Sequence, residues 1–332
     1  MKKTFSELGR VEAVRLLFEG SKFTPFCEPL HFAAKAGEYV ASAGKTFLEG
    51  VDFDLVYFPL KHLGYKSVVA VTGELLSVMS HPKTLSVTLG VSAKLDFEQV
   101  RELWEGMVTA ATEFGYEGLS LELQPSRNGL AISLGANGAC RKLTAAHRPA
   151  AQSKDIICVS GSLGAAFIGM KLLERGKETF EKGGSAEQDI KKYPMLVGAY
   201  LKPELNPAIV GSLEDAGITP SFGYFVNRGL ADAVLRLSRD SGLGVKIYAD
   251  KIPFEGGSFA LGKEMNFDPV SAAMNGGDDY KLLFTIPILQ LERFRRDFQT
   301  FDIIGHLAQP EVGQVLVSPD GLELGISSQG WK

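Results

Sequence analysis

The chain has 332 residues, 45% of them hydrophobic and 22% charged, and its formal net charge is −4. That mixture excludes a disordered chain, and the lack of basic excess excludes a nucleic-acid binder with a basic stripe. At roughly 150 residues per domain the length predicts two domains, each able to bury its own core. In chain order, residues 6–19 read as a first helix, and 22–48 as irregular because Pro25, Pro29 and Gly37 interrupt them. Residues 51–58 alternate apolar and acidic side chains as a half-buried strand does, 60–79 read as a helix, and a strand follows over 85–91 after Pro82. Asp96 caps a helix running to Phe114, with Phe97, Val100, Leu103, Trp104 and Met107 on its inner face. Strands over 119–123 and 130–135 are expected to face each other as a hairpin around Ser126-Arg127-Asn128-Gly129. The polar stretch 145–154 reads as a linker, and a buried-looking strand over 155–159 opens a second module. Helices are expected over 164–175, 187–200, 206–217 and 229–241, and strands over 245–250, 280–286, 301–305 and 314–318 form a mixed sheet.

No run of about 18 apolar residues marks a membrane span, and the first residues carry no apolar leader. Cys27, Cys140 and Cys158 lack CxxC spacing and read as buried thiols of a reducing compartment. The expectation is a cytoplasmic protein with neither a membrane nor a nucleic-acid partner. His31, His62, His81, His147 and His306 show no metal spacing. Two glycine-rich turns stand out. Val159-Ser160-Gly161-Ser162-Leu163-Gly164 leads from a strand into a helix, so it is either a packing turn or a phosphate cradle at a helix N-terminus. Asn275-Gly276-Gly277-Asp278-Asp279-Tyr280 places two adjacent carboxylates behind two glycines, where like charges repel; it is either a functional loop or an ordinary turn.

Three segments carry a family resemblance. Leu48-Glu49-Gly50-Val51-Asp52-Phe53-Asp54 is followed by Pro59-Leu60-Lys61-His62-Leu63-Gly64-Tyr65-Lys66; Asn275 to Tyr280 continues into Lys281-Leu282-Leu283-Phe284; and Gln329-Gly330-Trp331 lies near the end. Together they resemble thiamine-monophosphate kinases of the aminoimidazole ribotide synthetase-like superfamily, in order and across nearly the whole chain. The resemblance implies an α+β (α/β) chain with a two-domain aminoimidazole ribotide synthetase-like fold. Residues 1–145 would form a β-rich domain that dimerises and carries the nucleotide side. Residues 146–332 would form a mixed sheet with flanking helices on the substrate side. It also implies ATP and Mg²⁺, a thiamine phosphate-like small-molecule ligand and a homodimer.

Residue by residue, the resemblance makes Asp52, Asp278 and Trp331 substrate-binding, since a carboxylate and an aromatic face suit a cationic thiazolium. Arg148 and Glu122 fall on the nucleotide side. The family's metal-binding aspartates are mostly replaced. Cys27-Glu28-Pro29 stands where an acidic motif is expected, and Lys45, Phe225 and Arg228 stand where relatives have aspartates. Gly73-Glu74 and Ser120-Leu121-Glu122-Leu123 keep carboxylates, so Glu74 and Glu122 would be metal ligands if metal binds. Two functions remain open on this reading: an ATP-dependent thiamine-monophosphate kinase using shifted ligands, or a catalytically inactive homologue that keeps fold, dimer and a small ligand, with ATP and Mg²⁺ lost. If Lys45 and Arg228 line the same cleft as Glu74 and Glu122, ion pairs are expected to replace the metal.

Overall fold

Small residues alternating with exposed ones build the first sheet. Strands β1 (Leu30–Lys35) and β2 (Glu38–Leu48) pair antiparallel. In β2, Ala41, Ala43 and Phe47 are buried, while Gly44, Thr46 and Leu48 are exposed. The computed structural model describes residues 30–35, 38–141, 148–184 and 191–328. The expected first helix and the Cys27-Glu28-Pro29 and Gln329-Gly330-Trp331 segments therefore lie outside the described residues. Among the described residues the chain divides into two compact units. One holds the chain up to Arg141 together with Ile168–Gly217; the other holds Arg148–Phe167 and everything from Ile218 onward.

The two strands correct the expectation of irregular structure over 22–48. Period-two burial in β2 outweighs the breaking effect of its glycine, because eleven consecutive residues from Glu38 to Leu48 pair with a neighbouring strand. The expected strand over 51–58 is likewise corrected, since its acidic residues bind their own backbone. Asp52 Oδ2 accepts the Leu48 amide at 2.8 Å, Asp54 Oδ1 accepts the Val56 amide at 2.9 Å, and Gly50 adopts φ 80°. Alternation here marks a turn.

Helix α1 (Leu60–Ser77) is buried on nearly every side, and its hydroxyls are satisfied within it: Ser67 donates to Gly64 O and Thr72 to Val68 O. Strand β3 (His81–Ser92) runs through Pro82, with a bulge between Pro82 and Thr84. Helix α2 (Phe97–Glu113) begins with a capping box made by Asp96 and Gln99. It crosses α1 at glycines on both sides: a Cβ on Gly64 would lie 2.0 Å from Leu103 O, and one on Gly106 would lie 2.0 Å from Lys61 O. Strands β4 (Gly118–Ser126) and β5 (Ala131–Arg141) follow.

The sheet order is β1-β2-β5-β3-β4, so β4 and β5 do not form the expected hairpin. β3 lies between them, antiparallel to β5 and parallel to β4, an arrangement that the α2 crossover permits. The turn itself is held elsewhere: Glu49 Oε2 accepts the Leu130 amide at 2.7 Å beside Gly129, whose φ is 90°. The apolar face of the sheet carries Leu85, Val87, Leu89, Ile132 and Leu134, all buried. Ser86, Ser133 and Asn137 point to the opposite, open face. The same unit holds the later part of α3 (Ala165–Glu181), α4 (Pro194–Leu201) and α5 (Ile209–Asp215). α4 starts with Pro194 in its first turn, and the start of the helix expected over 187–200 lies outside the described residues.

The second unit is a seven-stranded mixed sheet. It contains β6 (Ile156–Val159), β7 (Phe222–Val226), β8 (Gly244–Tyr248), β9 (Lys281–Ile286), β10 (Asp302–Ala308), β11 (Gln314–Val317) and β12 (Glu323–Gly325), in the order β12-β11-β8-β10-β6-β9-β7. Ile157, Val159, Val245, Ile247, Leu283 and Ile304 form its core with α6 (Leu230–Ser241). The continuous apolar runs of β6 and β9 reflect burial on both faces. Helices α7 (Ser258–Met265), α8 (Pro269–Asn275) and α9 (Leu291–Asp297) complete the unit. No described helix is long and apolar enough to cross a membrane.

Candidate functional site

Strand pairing gathers four loops at one end of the second sheet. Val159 of β6 pairs with Leu283, and Val226 of β7 with Lys281, so both strands end where β9 begins. β8 runs parallel to β6, since each is antiparallel to β10. Residues 160–164, 227–229, 249–257 and 276–280 therefore meet at the carboxyl ends of β6, β7 and β8. Open sheets flanked by helices bind ligands at that end.

The loops interlock tightly. A Cβ on Gly164 (φ 75°) would lie 2.8 Å from the Ala273 amide, and one on Gly229 (φ 89°) would lie 2.4 Å from Met274 O. Asp278 (φ 59°) and Tyr280 (φ 51°) are left-handed although neither is glycine. Each conformation is held by a backbone bond: the Asp278 amide donates to Asn227 O at 3.0 Å and the Tyr280 amide to Val226 O at 2.9 Å. Such strain persists only where surroundings over-determine it, as at ligand sites.

Asp279, one residue on from the sequence-selected Asp278, is the buried carboxylate of the pair. Its Oδ2 accepts the Gly164 amide at 2.8 Å and its Oδ1 the Ala166 amide at 3.3 Å. Burial pushes its carboxyl up to about 7, against the opposing pull of those amides and of Lys281. These bonds give the 159–164 motif a packing role. The Leu163 amide is taken by Pro253 O, and those of Gly164 and Ala166 by Asp279, so the first turn of α3 is closed by the chain itself. Asp278 is half-buried in the same loop.

Phe225, where the resemblance leads one to expect an aspartate, belongs to the core: it is fully buried and stacks on Tyr280 at 5.3 Å with 10° between the rings. Arg228 is half-buried, and its Nη1 is enclosed without a hydrogen-bond partner. Sequence reasoning missed Arg236. This buried guanidinium pairs with Asp232 at 2.9 Å, donates to Phe225 O at 3.3 Å and lies over the Tyr224 ring. The signal was Asp and Arg four apart on one helix face.

The other matched loop lies in the first unit. Asp52 is half-buried; its carboxylate holds the Leu48 amide and its carbonyl accepts the Tyr200 hydroxyl at 3.5 Å. Asp54 forms an ion pair with Lys177 at 2.7 Å; that bond and the Val56 amide outweigh burial and hold its carboxyl below the usual range. Lys66, also missed, is 1% exposed, with Nζ 3.7 Å from the Tyr200 ring centroid and 5.3 Å from that of Phe58.

The remaining sequence-selected residues are dispersed. Lys45 is half-buried on the apolar face of the first sheet, its Nζ 5.0 Å from the Phe47 ring centroid. Glu122 is exposed on the open face, in register with Thr88, Ser133 and Thr46. Lys45 and Glu122 thus point to opposite faces, which removes the expected ion pair between them. Glu74 is buried in α1, on the other side of the sheet from Glu122. Arg148 is half-buried in the segment leading to β6, and Trp331 lies outside the described residues. Among the described residues no group of three or more His, Cys, Asp or Glu side chains is placed to hold a metal ion. The described carboxylates do not converge on a magnesium site.

No family model matches the chain. Among curated proteins it is similar to thiamine-monophosphate kinase of Aquifex aeolicus, 23% identical over 330 residues, covering 99% of this chain and 98% of the relative. It is also similar to that of Bacillus subtilis, 22% identical over 304 residues, covering 90% of each. Among solved structures it matches AaThiL complexed with AMPPCP and TMP with a TM-score of 0.82 at 21% identity, covering 100% of this chain and 99% of that one. It matches E. coli HypE, a hydrogenase maturation protein, with a TM-score of 0.64 at 14% identity over 96% of both chains. The similarity expected from the short motifs extends over the whole chain: in sequence it resembles thiamine-monophosphate kinases, and its fold is the two-sheet aminoimidazole ribotide synthetase-like one.

Proposed function

We propose that the chain binds ATP and thiamine monophosphate and transfers the γ-phosphoryl group to the terminal phosphate oxygen of the acceptor, yielding ADP and thiamine diphosphate. The observation that carries this reading is the end-to-end similarity to thiamine-monophosphate kinases, 330 residues in sequence and 100% of the chain in fold. In this reading Asp278 pairs with the cationic thiazolium and Arg148 grips phosphate oxygens through its planar fork. Asp52, Trp331 and Glu122 are assigned to ligands by the family resemblance alone.

One observation favours a second reading, a homologue that binds these ligands without turnover. Phosphoryl transfer between two polyanions relies on cations held by carboxylates. Phe225 is committed to a core stack and offers no ligand to such a cation.

Calorimetry with AMPPCP and thiamine monophosphate, beside a coupled assay of ADP release, tests both. Turnover supports the kinase, binding of both ligands without turnover supports the second reading, and absence of binding refutes both. We further take the protein to be a cytoplasmic homodimer that pairs through the first sheet. Its edge strand β4 exposes Leu121 and Leu123, and an unpaired apolar edge favours a partner. Light scattering should give about twice the 35.9 kDa of one chain.

A further inference from the structure

A second cavity lies on the seven-stranded sheet. It is an open cleft of about 880 Å³ between β10 and its neighbours on one side and the 288–301 segment on the other. Its volume falls in the range of sites for small molecules. The proposed phosphoryl transfer uses none of its residues.

Its lining divides into an aromatic floor and a cationic rim. Tyr248 and His306 form one wall: their rings stack at 5.7 Å with 28° between planes, and the Tyr248 hydroxyl lies 3.5 Å from His306 Nδ1. Phe294 and Phe298, stacked at 5.2 Å, form another, with Phe301 edge-on to Phe294 at 5.6 Å. Burial and the charge of Lys246 hold the His306 imidazole below its usual range, so at neutral pH it presents an uncharged ring.

Lys154, Lys251 and Arg295 supply the rim, against one lining acid, Asp302. Burial raises the Asp302 carboxyl above its usual range. Lys251 is partly neutralised by Asp250 at 3.4 Å. Lys154 and Arg295 form no ion pair among the described residues. Lys154 is also held in a left-handed conformation (φ 80°) by its amide bond to Leu307 O at 2.7 Å.

The geometry points to a binding site for an aromatic phosphate monoester, its ring between the Tyr248–His306 pair and the phenylalanine cluster and its phosphate on Lys154, Lys251 and Arg295. Flat ring faces on the walls suit a planar ring, which gains from offset stacking beyond burial alone. Three cations facing one acid leave a net positive rim, which suits a dianion better than a monoanion. The inference is independent of the proposed kinase reaction.

Phenyl phosphate is the probe, titrated into the full-length protein by calorimetry with and without saturating AMPPCP. Saturable binding that AMPPCP leaves unchanged is expected, with inorganic phosphate, benzyl alcohol and benzoate each at least about tenfold weaker. The Lys154→Ala, Arg295→Ala double variant changes two exposed side chains, so it should fold as the parent does. It should bind phenyl phosphate about tenfold more weakly or worse. The site is refuted by no saturation below about 10 mM, by equal binding of inorganic phosphate or benzoate, by displacement with AMPPCP, or by unchanged affinity in the double variant.

Discussion

The carboxylate of Asp279 accepts the amide of Gly164 at 2.8 Å across 115 residues of sequence, tying the loop before β9 to the first turn of α3. The bond joins two glycine-rich motifs that sequence reading weighs separately. It gives them one structural role and leaves Asp278 as the carboxylate of the pair that burial does not fully enclose.

That burial gives Asp279 a pH signature. Its folded carboxyl titrates at about 7, whereas the unfolded one titrates near 3.8. Between those values the folded state holds the extra proton, so this group favours folding at low pH and loses that effect as pH rises through 7. Urea unfolding from pH 4 to 8 should show the parent losing about 2–4 kcal/mol relative to Asp279→Asn over this window. A difference between the two proteins that does not vary with pH would contradict the assignment.

The crossing of α1 and α2 sets a second expectation. Gly64→Ala places a methyl 2.0 Å from Leu103 O, on backbone that cannot yield without parting the helices. The cost should exceed about 3 kcal/mol, at or above the upper end of ordinary overpacking. Gly211→Ala in α5 is the matched control, because nothing lies within 4 Å of its added methyl. It should be neutral or stabilising by up to about 1 kcal/mol. Equal denaturation midpoints for the two variants would refute the close-packed crossing.

How much of this was legible in the sequence depends on whether the signal was local. The helix of α2 was, because Asp96, Gln99 and the apolar spacing around Leu103 and Met107 all lie within one element. The second sheet was largely legible, because strands buried on both faces read as apolar runs. The order of the first sheet was not, since only pairing across the whole β3 strand reveals that it separates β4 from β5. The 51–58 turn was misread because alternation cannot distinguish a strand from aspartates that bind their own amides. Motif resemblance located the loop of Asp278, yet it could not show that Phe225 packs on Tyr280 or that Lys45 and Glu122 face opposite ways.

Phe225 illustrates the difference between a replaced ligand and a vacated one. The ring is fully buried and stacked, so Phe225→Ala should cost about 3–5 kcal/mol. Phe225→Asp should cost more, because it adds an unpaired buried carboxylate. Thermal unfolding reads both. A Phe225→Asp protein as stable as the parent would show that the position is open to a metal ligand after all.

The last expectation concerns Asp278, the residue through which the proposed function is most directly tested. Its backbone is left-handed at φ 59°, a conformation that Asn adopts readily and most other side chains resist. Asp278→Asn therefore keeps the loop while removing the negative charge proposed to face the thiazolium. If the side chain serves the acceptor, thiamine monophosphate should bind about two- to fivefold more weakly, the change expected from losing one partly screened charge pair. Binding of AMPPCP should not change, because the residue is assigned to the acceptor side. The unfolding midpoint should stay near that of the parent, since the φ requirement is met and the Asp278 amide bond to Asn227 O does not depend on the side chain. Asp278→Ala is the contrasting variant: it removes the same charge but also strains the turn, so it should weaken binding and lower stability together. Calorimetry on the three proteins separates the cases. Weakened acceptor binding in Asp278→Asn at unchanged stability supports the assignment. Unchanged acceptor binding in that variant makes Asp278 a turn residue only, and an equal loss of AMPPCP binding moves it out of the acceptor side.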